Sequence, residues 1–193
     1  GINFYSREPV IKHAVLAGRE DMIELLVRHG ATRPELTENE HFLAATVAGD
    51  FARMRELALK HPEFLRSHEP MFAVIRLRRA DIAEALLDLG MSVDVGDEKN
   101  LRALHYTTHC GAEQVARLLI ARGAQIDPFE LRYGGTPLTH AVYNRQPEMV
   151  KLLPSVSRNF RGLCYAGAVD RVRELLTEAP DRANRHDREG EPA

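Results

Sequence analysis

His105 and His109 stand four residues apart in LHYTTHC, a segment that reads as helix, and Cys110 follows directly. A four-residue step on a helix brings two side chains to one face, where two imidazoles can share a metal ion. No carboxylate or further thiol is placed to complete a tetrahedral set, so no metal ligand is assigned. Cys110 beside His109 has the residue types of a nucleophile and its base. Neighbours on a helix point in different directions, however, and no catalytic pair is assigned either. The remaining candidate is the run Arg76, Arg78, Arg79, the most basic cluster in the chain, whose guanidiniums suit phosphates or an acidic partner. Asp81 and Glu84 follow closely and balance part of that charge, and no aromatic platform for bases accompanies it, so it reads as a solvated helix end.

Composition narrows the classes in the same direction. The 193 residues hold 26 Lys and Arg against 28 Asp and Glu, a formal net charge of -2, so the total encodes no attraction to nucleic acid or anionic lipid. A hydrophobic share of 44% is ordinary for a soluble chain. Cys110 and Cys164 are too few for a disulfide framework and lack C-x-x-C spacing, which suits a reducing compartment, by default the cytoplasm. No apolar run approaches the roughly 20 residues that cross a bilayer, and residues 1–9 lack a basic-then-apolar signal pattern. The expectation is a cytoplasmic protein without cofactor or metal, and with no nucleic-acid, membrane or small-molecule partner.

The elements that must position these residues repeat along the chain. DMIELLVRHGA (21–31), DIAEALLDLGM (81–91) and AEQVARLLIARGA (112–124) are amphipathic helices, each stopped by a glycine: Gly30, Gly90 and Gly123. Between the first two lies ARMRELALKH (52–61), which ends at Pro62 instead. Upstream of each sits a shorter, alanine-rich helix: KHAVLAG ending at Gly18, FLAATVAG ending at Gly49, MFAVIRLR around Val74, and LHYTTHCG ending at Gly111. The interval from Gly18 to Gly30 equals that from Gly111 to Gly123. A fifth pair begins at TPLTHA (136–141), where Thr caps and Pro fits the first turn, and its second helix, Glu148 to Leu153, is cut short by Pro154. A sixth runs from about residue 158 to 179, with Val172, Leu175 and Leu176 on the buried side and too little chain before it for a normal connecting loop.

These segments resemble the ankyrin repeat, whose motif is T-P-L-H-x-A at the first helix, then a glycine, then V-x-x-L-L-x-x-G-A-D-V-N. The matches are TPLTHA (136–141), ALHYT (103–107), RGAQID (122–127) and GMSVD (90–94), and the resemblance covers nearly the entire chain. It implies an all-α solenoid of about six helix-turn-helix units with short or missing β-hairpin fingers. The units fall at roughly 4–34, 35–66, 67–99, 100–132, 133–155 and 156–186, with the start of a further unit at 187–193. Only the stretches Asp94 to Ala103 and Asp127 to Pro137 are long enough for full fingers, and Asn100 stands in the first where the family places a turn glycine. Gly1-Ile2-Asn3 resembles the close of a preceding unit and DREGEP (187–192) the opening of a following one, so both ends look cut from a longer array. His105 occupies the motif histidine, which implies a hydrogen-bond bridge between units.

The resemblance further implies a protein-protein interaction module, not an enzyme, that binds another protein through its concave face and finger loops. Carried over position by position, the contact residues are Arg76, Leu77, Glu98, Lys99, Leu101, His109, Cys110, Arg132, Tyr133, Tyr143 and Asn144. Tyr and Arg are the types that most often dominate interface energetics. The alternatives are a regulatory or targeting arm of a larger multidomain enzyme, and a structural spacer.

Overall fold

The computed structural model describes residues 8–184. The readings at residues 1–3 and 187–193 lie outside the described residues. Twelve α-helices follow one another in six pairs: α1 Val10–Leu16 with α2 Glu20–Arg28, α3 Glu38–Ala48 with α4 Phe51–Lys60, and α5 Glu69–Leu77 with α6 Ala80–Asp88. The remaining pairs are α7 Ala103–Cys110 with α8 Glu113–Ala121, α9 Pro137–Tyr143 with α10 Pro147–Leu152, and α11 Phe160–Ala166 with α12 Val169–Glu178. The starts are set by short polar side chains. Thr37 and Glu40 form a reciprocal capping box on α3, Asp50 caps α4 through the amide of Arg53, and Asn159 caps α11 through that of Gly162.

The first helices of the pairs stack in sequence, α1 on α3, α3 on α5, α5 on α7, α7 on α9 and α9 on α11. The apolar core follows this row without closing on itself. Within α7 and α8, Ala103, Val115 and Leu119 pack toward α5 and α6 among Ile75, Ile82 and Leu86. Leu104 and Ala116 of the same two helices pack the other way, with Leu138, Met149 and Leu163. Adjacent positions on one helix thus serve two successive layers, the arrangement expected when each pair needs its neighbour to bury its faces. At α2 the apolar stripe is less covered than the periodicity predicts: Ile23 is buried, while Met22 and Leu25 stay exposed. In the sixth pair Leu175 is fully buried, and Val172 and Leu176 are half-buried.

Between the paired helices the chain turns through a single left-handed residue. Gly18, Gly49, Gly111 and Gly167 fill that place in four pairs, with φ between 60° and 72°; Arg78 (φ 55°) and Arg145 (φ 52°) fill it in the other two. Where Pro62 replaces the usual glycine, α4 gives way to a 3-10 turn over Pro62–Arg66, which lays Phe64 against the buried Phe42 with ring centroids 5.8 Å apart. Pro154 likewise ends α10 in a 3-10 turn over Leu153–Ser155. The short junction into α11 is held from outside: Asp127 accepts hydrogen bonds from the Ser157 hydroxyl at 2.6 Å and the Arg158 amide at 2.7 Å. That replaces the missing loop.

Both long connections form fingers, each closed by one antiparallel bridge, Gly96 with Arg102 and Glu130 with Gly135. Asn100 turns the first with φ of 61°. No helix among the described residues is long and apolar enough to cross a membrane.

A left-handed non-glycine residue carries about 1 kcal/mol of strain or somewhat more. Arg145→Gly is therefore expected to raise stability by roughly 0.5–1 kcal/mol. Gly111→Ala, at φ 60° and with its new Cβ 2.7 Å from Gln146 Oε1, moves stability the other way. Urea denaturation of both variants reads the opposite signs; a destabilised Arg145→Gly would contradict the strain assignment.

Candidate interaction face

The first finger is shaped by Asp97. Its Oδ1 accepts the amides of Lys99 and Leu101, each at 2.9 Å, and this local loop pushes Glu98 and Lys99 out to solvent. Leu101 goes the other way and is only 5% exposed. It belongs to the base of the finger, because the alternation that exposes the tip turns the following apolar side chain inward, and its side chain is not presented on the surface.

In the second finger Glu130 does the same work. Its carboxylate, fully buried, accepts the amides of Arg132 at 2.7 Å and Tyr133 at 2.8 Å, so Leu131, Arg132 and Tyr133 stand exposed at the tip. The two fingers are locked side by side. The Leu131 amide donates to the Lys99 carbonyl at 2.8 Å, the Asn100 side-chain amide to the Phe129 carbonyl at 2.6 Å, and Arg132 pairs with Asp97 at 2.8 Å. Glu98, Lys99, Arg132 and Tyr133 therefore form one edge.

Below this edge lie the ends of the first helices. Arg76 and Leu77 close α5 and are exposed, His109 and Cys110 close α7 and are half-buried, and Tyr143 and Asn144 follow at the end of α9, exposed. His109 joins the helix ends to the fingers: its ring lies 5.7 Å from that of Tyr133, and its Nδ1 is 3.4 Å from the Asn144 amide nitrogen. The charge of Arg76 on α5 acts on the hydroxyl of Tyr106, whose ring stacks on Phe72 at 4.3 Å and 8°. An aromatic track thus leads from Phe72 through Tyr106 and His109 to Tyr133. Phe72, Tyr106, His140 and Glu130 were not singled out from the sequence. For His140 a signal was present, since TPLTHA carries its histidine one place later than the family motif.

That displacement has a structural result. At the motif position of the fourth pair, His105 Nδ1 accepts the Arg102 amide at 3.2 Å, and Nε2–H donates to the carbonyls of Pro128 at 3.0 Å and Gly135 at 3.3 Å. His105 thereby ties α7 to the next finger. In the fifth pair Thr139 takes the same local role, its hydroxyl accepting the Thr136 amide at 2.7 Å, which frees His140 to face the fourth pair. There His140 Nε2 lies 3.1 Å from Glu130 Oε1, and His140 Nδ1 lies 3.1 Å from His109 Nε2. Because a carboxylate only accepts, the proton order is set: His140 donates to Glu130, His109 donates to His140, and Asn144 donates to His109. Burial holds His105, His109 and His140 below the ordinary histidine value, with His105 lowered to about 4. All three are neutral at pH 7, as this proton order requires.

The relay has no reacting group at its open end, which is the Asn144 amide. Cys110 is not part of it, and burial pushes that thiol up, away from the thiolate form a nucleophile needs. Among the described residues no group of three or more His, Cys, Asp or Glu is arranged to hold a metal ion. Of the basic run, Arg79 pairs with Asp81 at 2.6 Å, and Glu84 is taken by Arg122 at 2.7 Å. Arg76 and Arg78 are left without a described carboxylate.

Comparison with known proteins agrees with the repeat fold. Residues 70–159 match a family model described as ankyrin repeats in three copies. That segment is an array of ankyrin repeats. The chain's relatives include a B-cell lymphoma 3 protein homolog of Mus musculus, 31% identical over 134 residues, which is 66% of this chain and 30% of that protein. Inversin of Gallus gallus is 31% identical over 57% of this chain and 10% of its own length. Serine/threonine-protein kinase 12 of Arabidopsis thaliana is 32% identical over 35% of this chain and 15% of its own length. The chain thus spans under a third of the length of each of these relatives.

The neutral histidines make the array acid-sensitive. His105 binds its proton near pH 4 when folded and near 6.5 when unfolded, so between these values the unfolded chain holds more protons. Stability is complete above about pH 6.5 and falls, by up to roughly 1.4 kcal/mol per pH unit, as pH drops toward 4. His109 and His140 act in the same direction. Urea midpoints measured from neutral pH downward should show this loss, and His105→Gln, which keeps a donor but cannot titrate, should lose less over the same range.

Proposed function

We propose that this chain is a non-catalytic interaction array that binds another protein across its third to fifth units. The residues engaged are Arg76, Leu77, Glu98, Lys99, His109, Cys110, Arg132, Tyr133, Tyr143 and Asn144. The observation that carries this reading is the locking of the two fingers to each other and, through His109, to the ends of α7 and α9. It presents Tyr133 and Tyr143, 66% and 81% exposed, above a rigid base. Large rigid aromatics with an apolar body and a polar tip, set among arginines, are the usual anchors of a protein interface. Preorganisation matters as much as residue type, since a base already fixed by the Leu131, Asn100 and Arg132 bonds has less entropy to lose on binding. Extended surfaces of stacked repeats suit grasping a partner, and the match to ankyrin repeats supports the same class of role. The array is read as six units with the boundaries given above, working in a reducing, cytoplasmic setting where Cys110 and Cys164 remain free thiols.

Replacing Tyr133 and Tyr143 together by Ser tests the assignment. Pull-down with the wild-type chain as bait defines the captured partner, and the double variant is expected to weaken its capture about tenfold or more, in line with the loss of an aromatic anchor. Its melting temperature should change little, because both side chains are exposed. Undiminished capture by a folded double variant would remove this face as the site.

A further inference from the structure

In the third to sixth pairs charge is sorted between the two helix rows. Among the first helices, α7, α9 and α11 contain no Asp or Glu, and α5 has only Glu69, in its first turn. The second helices carry Asp81, Glu84 and Asp88 on α6, Glu113 on α8, Glu148 on α10, and Asp170, Glu174 and Glu178 on α12. Every one of these is paired: Asp81 with Arg79, Glu84 and Asp88 with Arg122, Glu113 with Arg117, Glu148 with Lys151, Asp170 with Arg173, Glu174 with Arg171, and Glu178 with Arg158. The carboxylates of these second helices are thus all compensated.

The first row differs. Arg76, Arg78 and Arg145 are exposed, and no described carboxylate lies within ion-pair distance of any of them. Arg76 and Arg78 converge on the end of α7. The charges of both act on the Cys110 thiol, and an Nη of Arg78 comes within 3.6 Å of the position a Cβ would take on Gly111. Gln146, the neighbour of Arg145, meets the same spot from the fifth pair, with its Oε1 2.7 Å from that position. Cations from the third and the fifth units thus stand at the same helix-turn station, on either side of Gly111 in the fourth. At the finger tips, exposed Glu98 stands beside exposed Lys99, and Arg132 is half-compensated by Asp97.

Resting on the interaction reading above, we infer that the partner reaches this face with an extended, carboxylate-rich peptide segment, which lies along the ends of α5, α7 and α9 and is held by Arg76, Arg78 and Arg145. Guanidiniums without a carboxylate partner are the complement such a segment requires, and each offers a two-pronged donor that matches a carboxylate. A nucleic acid fits less well. Its binding relies on a broad positive field, whereas this chain carries a net charge of -2 and places its carboxylates on the adjoining row.

Selection of short random peptides displayed on phage against the full chain tests this directly. The retained peptides are expected to be enriched in Asp and Glu, and synthetic copies should bind about tenfold more weakly when their carboxylates are changed to amides. Affinity should fall with added salt. Arg76→Glu and Arg145→Glu should each weaken the acidic peptides about tenfold, while Arg55→Glu, the same change of charge at an exposed site on α4, should not. Retained peptides without acidic enrichment overturn the charge assignment and leave the interaction reading standing. Equal losses for Arg55→Glu reduce it to net charge and overturn it too. Tighter binding of single-stranded DNA of similar length than of any selected peptide overturns it in favour of nucleic acid, and retention of no peptide at all sinks both readings together.

Discussion

A pair of short helices with one apolar face each cannot remove that face from water by folding on itself, and the whole molecule follows from this shortfall. Leu104 and Ala103 are adjacent in α7, yet one is buried against the fifth pair and the other against the third. Burial is therefore shared between neighbours along a line. The same constraint fixes what a surface on this scaffold can be. It is long and repetitive, and its properties arise from the residues each unit places at the same station, which here are the ends of the first helices and the finger tips.

Apolar stacking alone would leave the units free to slide or tilt. Polar bonds that skip from one unit to the next remove that freedom. Asp94 holds the Gln125 amide at 2.9 Å, Asp127 holds Ser157 and Arg158, and His105 holds two carbonyls of the following finger. Each such group is wholly or partly buried with its partners supplied, so its satisfied state is specific to one register of stacking. The Glu130–His140–His109 chain extends this logic to the candidate face. It fixes the rings under Tyr133 and beside Asn144 in one orientation, and it does so only while the histidines stay neutral.

The relation between charge and strain at this face is consistent. Arginine replaces the helix-turn glycine at Arg78 and Arg145, two of the three positions where guanidiniums stand unpaired along the first row. A left-handed arginine is a local sacrifice of stability, and such sacrifices persist where a side chain does something a glycine could not. Arg122, which follows α8, instead bridges successive units through Glu84 and Asp88 and brings no unpaired charge to the surface.

Local chemistry written into the chain determined a large part of this. Helix stops at Gly30, Gly90 and Gly123, the caps at Thr37 and Thr136, the two finger lengths and the turn at Asn100 each depend on contacts within a few residues, and periodicity exposes such contacts directly. That is why the six helix pairs and the family were legible, together with the exposed tyrosines at finger tip and helix end. The tertiary structure alone decided which residues meet across units. Glu130 reads as one more acidic loop residue until the finger folds it under Tyr133, and Leu101 reads as a finger-tip contact until the Asp97 turn points it inward. Which member of the arginine run takes Asp81 is likewise set by the fold, Arg79 pairing with it while Arg76 and Arg78 stay bare. The bonds that cross between units, His140 to His109, Arg132 to Asp97 and Arg122 to Glu84, join groups roughly one repeat apart, brought within about 3 Å by stacking, and a distance of that kind has no local trace in the sequence.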